Sequence, residues 1–214
     1  MKRKIIAALA LALAFSASSE AEVRLPSILG DGMVLQRDEP ITIWGWADAA
    51  EEVEIRWQDA SYRTEADGQG KWEIQLPECS AGGPYTMWIS GITLNDILIG
   101  DVFLCSGQSN MELPIRRVTD MFADEVAAYE NKEIRPYIVP DTYNFIAPQE
   151  DTPESNWTPC TSEHVMEFSA LAYFYAKEIY SSTGVPVGIV NCCWGGTPVE
   201  AWTSEESLKD FPKH

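Results

Sequence analysis

The sequence predicts an α/β protein in two parts: an N-terminal antiparallel β-sandwich over residues 22–96, then part of a layered α/β domain over residues 97–214. Three observations carry this. Residues 23–95 break into short stretches of alternating apolar and polar residues separated by turn-forming ones. Two nearly continuous apolar runs, Ile97 to Cys105 and Val185 to Cys193, suit strands buried on both faces. Between them lies a stretch with helical periodicity, which makes a crossover onto a parallel sheet the natural reading.

The chain opens with Lys2, Arg3 and Lys4, then an apolar block from Ile5 to Phe15 and small residues including Ala17, Ser19 and Ala21. That order is the pattern of a secretory signal peptide over residues 1–21, cleaved after Ser19 or Ala21. The block falls short of the ~20 residues a membrane span needs, and no later run is long enough. The expected localisation is periplasmic or secreted, with no membrane association after cleavage.

Strands are predicted at Met33 to Gln36, Ile41 to Trp46, Val53 to Trp57, Ser61 to Ala66, Lys71 to Leu76 and Tyr85 to Ser90. Alternation is clearest in Val53, Ile55 and Trp57 and in Trp72, Ile74 and Leu76. Turn chemistry separates strands at Ala66 to Gly70 and at Ala81 to Pro84. Several short strands at close spacing are the basis for the sandwich. After Asn95 the pattern changes. Met121 to Tyr129 reads as a helix and Glu133 to Val139 as a strand, with a loop from Pro148 to Pro159. Val165, Phe168, Leu171, Ala172, Tyr175 and Ile179 then recur at helical steps, with Ser162 as N-cap and Gly184 just past the end.

The net charge of −18 repels a phosphate backbone, so nucleic acid is not an expected partner. None of the spacings among Cys79, Cys105, Cys160, Cys192 and Cys193 resembles a zinc site, and adjacent Cys192 and Cys193 would form only a strained bridge. No metal or cofactor is implied; disulfide pairing and oligomeric state stay open.

Each buried run is followed by a distinctive loop, Ser106 to Asn110 after the first and Trp194 to Glu200 after the second. In a parallel sheet both emerge at the carboxyl edge, where open α/β proteins bind ligands. Thr197 and Glu200 fit a capping box, with Pro198 at the first helical position, so a helix is predicted to start at Thr197. Gly195 and Gly196 precede it, and their unshielded N–H groups suit a developing negative charge. Two glycines also serve a plain strand-to-helix turn, and a serine in a polar turn is commonly no more than that. The pairing of the loops is what marks Ser109 as a nucleophile candidate, with its own N–H facing the same oxyanion and Asn110 bracing the loop.

The segments "GDVFLCSGQSNME" and "PVGIVNCCWGGTPVEAWTS" resemble the first two signature segments of the SGNH (GDSL-like) hydrolase superfamily, most closely its sialate O-acetylesterase branch. "ILGDGMVLQRDEPITIWGWA" resembles the opening of the β-rich domain that precedes the catalytic domain in that branch. Acetyl xylan esterases share "GQSNM" and "GGT". The resemblance implies a flavodoxin-like three-layer α/β/α domain, present in part, and a serine esterase acting on O-acetylated sugars. It places Ser109 at the nucleophile, Gly196, possibly with Gly195, at the oxyanion hole, and Ser106 at a non-catalytic position. Gln108, Asn110, Trp194 and Arg116 complete the expected site as substrate-binding residues; Arg117 and Trp202 flank it.

The family also uses a third segment near a "QGE" motif and an Asp-x-x-His pair, and neither motif occurs here. The chain therefore resembles the N-terminal part of a longer enzyme, its base lying outside it. His164 is expected to face solvent, and His214 is the final residue. Alone, the chain is expected to hydrolyse esters poorly, since loss of a triad member leaves roughly 10³ to 10⁴-fold over water. The rival from another class is a non-catalytic carbohydrate-binding or scaffold protein.

Overall fold

A computed structural model describes residues 23–128, 130–144 and 146–211; the expected signal peptide and His214 lie outside the described residues. The strands are β1 (Val34–Gln36), β2 (Ile41–Trp46), β3 (Glu52–Trp57), β4 (Ala60–Glu65), β5 (Lys71–Leu76), β6 (Gly82–Ile89), β7 (Ile92–Gly107), β8 (Ile134–Ile138) and β9 (Val187–Cys193). The helices are α1 (Ser109–Glu112), α2 (Thr119–Ala128), α3 (Ala170–Thr183) and α4 (Glu205–Leu208), with 3-10 turns at Ile115–Arg117, Val165–Glu167 and Val199–Trp202.

Alternation does what it should in the first half. β2 and β5 form a two-stranded antiparallel sheet, and their inward residues Ile41, Ile43, Trp72, Ile74 and Leu76 are buried. These share one core with Val53, Ile55 and Trp57 of β3, Met87 and Ile89 of β6, and Ile97 and Ile99 of β7. The larger sheet runs in the order β4-β3-β6-β7-β9-β8, with β1 also on β7. It is antiparallel from β4 to β7 and parallel from β7 to β8.

β7 is longer than the apolar run from Ile97 predicts, beginning at Ile92. Its first residues pair antiparallel with β6 on a half-exposed surface, where polar Thr93 and Asn95 are at home, and its last seven pair parallel with β9 from Asp101 to Gly107. One strand thus serves both sheet regions, and the expected boundary at 96/97 falls inside it.

α3 covers one face of β7, β9 and β8, packing Ala172, Tyr173 and Ala176 with Ile134, Val187 and Ile189. Its start differs from the sequence reading. Phe168 is extended at φ −71, ψ 148, and Ser169, not Ser162, caps the helix by accepting from Ala172 N–H. The apolar period runs on through both pieces because the 3-10 turn and the helix press on the same core. The other face of the parallel strands, which carries Tyr137, meets Val34 and Trp157 of the first core rather than a second layer of helices among the described residues. All five cysteines are free thiols.

Candidate functional site

The parallel register of β7 and β9 sets Gly107 opposite Cys193, so the two loops leave the sheet side by side. Trp194 N–H donates to Gly107 C=O at 2.9 Å, extending the contact one step past the strands. On the first loop, Gln108 is the N-cap residue and Ser109 the first residue of α1. The turn is anchored below by Met111, packed against the second core, and by Ile115, fully buried there, whose N–H donates to Phe168 C=O at 2.9 Å.

Ser109 Oγ donates to Gln108 Oε1 at 3.3 Å. Three residues on, Glu112 lies on the same helical face, and its Oε2 accepts from Gly195 N–H at 2.5 Å. A side chain on Gly195 would run into that carboxylate and would come within 3.7 Å of Ser109 Cα. Absence of a Cβ at position 195 is therefore what lets the second loop close against the first. Gly196 has φ +79, a conformation that favours glycine, and its N–H meets no acceptor among the described residues.

Two sequence expectations are corrected here. The helix does not start at Thr197: Pro198 is extended and precedes a four-residue 3-10 turn from Val199, with no side-chain cap. Thr197 Oγ1 instead donates to Trp194 C=O at 2.7 Å and accepts from Trp202 Nε1 at 2.8 Å, folding the glycine loop onto itself. With no helix of useful length, individual amides and not a macrodipole must face any negative charge. Gly195 is also not a free donor, because Glu112 holds its N–H.

Ser106, Gln108, Ser109 and Asn110 are exposed at this edge, and the Asn110 side chain makes no hydrogen bond among the described residues, so it does not brace the loop. Trp194 is half-buried with Tyr143 against it, ring centroids 4.6 Å apart, leaving less of the ring for a sugar than the sequence alone implies. Trp202 is 38 % exposed. Arg116 is held in an ion pair with Glu167 and is not a free cation. His164 is half-buried, not solvent-facing, with Nδ1 3.0 Å from Thr161 Oγ1. The Ser109 hydroxyl is thus bonded to an amide carbonyl, not an imidazole.

The field at the loops is negative. Burial first, then the carboxylates of Glu112 and Asp141, push the Cys193 thiol up to about 11. Burial and Asp141 also raise Cys192. Among the described residues no group of three or more His, Cys, Asp or Glu is placed to hold a metal ion.

Residues 99–211, from the middle of β7 through both loops, match the family model described as "Carbohydrate esterase, sialic acid-specific acetylesterase". The chain belongs to this family. It is 28 % identical to a sialate O-acetylesterase of Rattus norvegicus over 208 residues, covering 87 % of this chain and 38 % of the relative. The Homo sapiens sialate O-acetylesterase is 26 % identical over 211 residues, again 87 % of this chain and 40 % of the relative. A crystal structure described as a novel carbohydrate acetylesterase from Xanthomonas citri superposes with a TM-score of 0.83 at 39 % identity, covering 88 % of this chain and 44 % of that one. The chain thus spans about two fifths of the length of the curated relatives it matches.

At this sheet edge, Glu112 is the residue that sequence reasoning passes over. Its position three residues after Ser109 was the available signal; its partner, a backbone amide 83 residues away, was not visible in the sequence. Asn191 is a second: it is buried at the end of β9, donates from Nδ2 to Cys105 C=O at 3.2 Å, and so ties the two site strands together.

Proposed function

We propose that this chain carries the nucleophile part of a serine carbohydrate esterase that removes O-acetyl groups from sialic acids. Ser109 Oγ bonds to the acetyl carbonyl carbon, the carbonyl oxygen becomes an oxyanion facing the N–H groups of Ser109 and Gly196, and the bond to the sugar oxygen then breaks. A base takes the serine proton and passes it to the departing sugar hydroxyl; water repeats the sequence on the acyl-serine and releases acetate. No histidine among the described residues is bonded to Ser109, so this reading assigns the base to a group outside them.

The observation that carries the reading is the closure of the Gly195–Gly196 loop against the first turn of α1, within a region that matches the acetylesterase family. In the same reading residues 22–96 form a β-sandwich region, residues 97–214 form part of a three-layer SGNH domain, and the mature protein works in the periplasm or outside the cell. Gln108, Asn110, Trp194 and Arg116 are the substrate-facing candidates, Arg116 only after release from Glu167. The pairing of Arg116 and the carboxylates of Glu112 and Asp141 favour a second reading for substrate choice, a neutral acetylated sugar such as acetyl xylan.

The test is a chromogenic acetyl ester assay combined with organophosphonate treatment and peptide mapping. Turnover above the Ser109→Ala background, or phosphonylation confined to Ser109, supports the esterase reading. Neither, with retained sugar binding, makes the chain a carbohydrate-binding scaffold.

A further inference from the structure

The outward face of β2 carries two tryptophans in line. The strand alternates, with Ile41 and Ile43 buried in the first core and Thr42, Trp44 and Trp46 turned the other way. Trp44 and Trp46 stand two residues apart, about 7 Å along the strand. Directly opposite them on β5 are Glu73 and Lys71, whose side chains share that face. The chain's other tryptophans are occupied differently. Trp57, Trp72 and Trp157 are buried, and Trp194 and Trp202 belong to the glycine loop and the turn after it. Trp46 and Trp88 each carry a guanidinium, Arg24 at 3.7 Å and Arg56 at 4.2 Å from the ring centroid. Trp44 is 37 % exposed, and among the described residues no cation lies over it.

Trp44 and Trp46 line a groove of about 420 Å³ whose charged side chains are Asp67, Lys71, Glu73 and Glu150. Lys71 Nζ donates to Glu150 Oε1 at 2.6 Å, which brings the loop after β8 to the groove wall. Asp67 is fixed as well, its Oδ1 accepting from the N–H groups of Gln69 at 2.7 Å and Lys71 at 3.0 Å. The groove thus offers flat apolar rings flanked by positioned acceptors. Three carboxylates against one ammonium repel an anionic ligand. A cation, the other partner that indoles and carboxylates attract, is already supplied from within, by Arg24 over Trp46 and by Lys71 on Glu150. A neutral pyranose matches what is left: its C–H face lies on an indole while the hydroxyls at its rim donate to carboxylates.

We infer that this groove binds a neutral oligosaccharide, with successive rings of an extended chain lying on Trp44 and beside Trp46 and with sugar hydroxyls donating to Glu73 and Asp67. No residue lining it belongs to the loops of Ser109 and Gly196, so it is a second sugar site, separate from the catalytic edge. The site stands whatever Ser109 does. Where Ser109 acts as an esterase, a polymer held on β2 keeps its remaining acetyl groups at high local concentration.

The test titrates the full chain, isotope-labelled on tryptophan, with xylohexaose and with cellohexaose, and follows the indole N–H signals by nuclear magnetic resonance; an acidic galacturonate hexamer and a lysine oligomer are the charged counterparts. The expected result is a saturable shift of the Trp44 and Trp46 signals with a neutral hexaose and none with either charged oligomer. Trp44→Ala weakens that binding by at least about 5-fold, and Trp44→Phe, which keeps a ring, recovers part of the loss. Unmoved Trp57 and Trp72 signals in both variants separate a lost ring from a lost fold, and Trp194→Ala leaves the affinity as it was. No saturable shift with either neutral hexaose, equal affinity in Trp44→Ala, shifts confined to Trp194 and Trp202, or shifts produced only by a charged oligomer would each overturn the inference.

Discussion

Replacing Glu112 by alanine removes the one side chain seen to hold the glycine loop against the first turn of α1. A hydrogen bond to a charged acceptor contributes about 1.5–3 kcal/mol when shielded, but Glu112 is solvent-exposed, which brings the figure toward about 1 kcal/mol. That corresponds to roughly a 5-fold shift in the opening equilibrium of the loop, since 1.4 kcal/mol is about tenfold. Glu112→Gln keeps a neutral acceptor at the same reach and is expected to give about half that energy. The assay is amide hydrogen exchange at Gly195, read beside the buried Ile189 amide as an internal standard. Glu112→Ala should speed Gly195 by about 5-fold and Glu112→Gln by about 2-fold, with Ile189 unchanged. Equal Gly195 exchange in all three proteins would refute the reasoning, because the loop would then be held by Trp194 and Thr197 alone.

Gly196→Ala places a Cβ at φ +79, costing about 1–2 kcal/mol; phosphonylation of Ser109 should slow at least several-fold while the far-ultraviolet circular dichroism stays the same. Ile115→Ala empties a fully buried site under the α1 loop and should destabilise the chain by about 2–5 kcal/mol in urea unfolding, with Ile115→Val near 1. Cys160 and Cys193 have folded-state thiols raised to about 11, chiefly by burial, above the ~8.5 of an unfolded thiol. The unfolded chain therefore sheds these protons first, so stability falls as pH rises from about 8.5 to about 11 and is unaffected by these groups below that window. Cys193→Ser should flatten the alkaline loss of denaturation midpoint; an unchanged slope would count against the burial of that thiol.

Much of the fold was legible because it rests on strong periodic signals. The runs ending at Cys105 and Cys193 are apolar because they are covered over most of their length, Leu104 excepted, and that pattern points to the two site loops. The early part of β7 is not legible because Thr93 pairs with β6 on an exposed surface and Asn95 and Asp96 sit at the register shift that follows, so the segment lacks the apolar signature of its later half. The sequence points to Ser162 as the cap of α3 because a 3-10 turn and a helix share one core face and keep one period, although the chain extends at Phe168 between them. The Thr197–Glu200 spacing misled for a local reason: the threonine hydroxyl has a better partner in Trp194 C=O than in the amides ahead of it. At the site, residue types and spacing pointed to Ser109 and the glycines. Which glycine amide is free depended on Glu112, and a contact between one side chain and a distant backbone leaves no trace in periodicity.

The central claim is that the hydroxyl of residue 109 and the amide of residue 196 serve one small acyl group. Its most direct measurement is the crystal structure of the chain after prolonged exposure to an organophosphonate. The account predicts phosphorus bonded to Ser109 Oγ with its phosphoryl oxygen about 2.7–3.1 Å from Gly196 N. Phosphorus on Ser106 or another residue, or a phosphoryl oxygen turned away from Gly196, would contradict it.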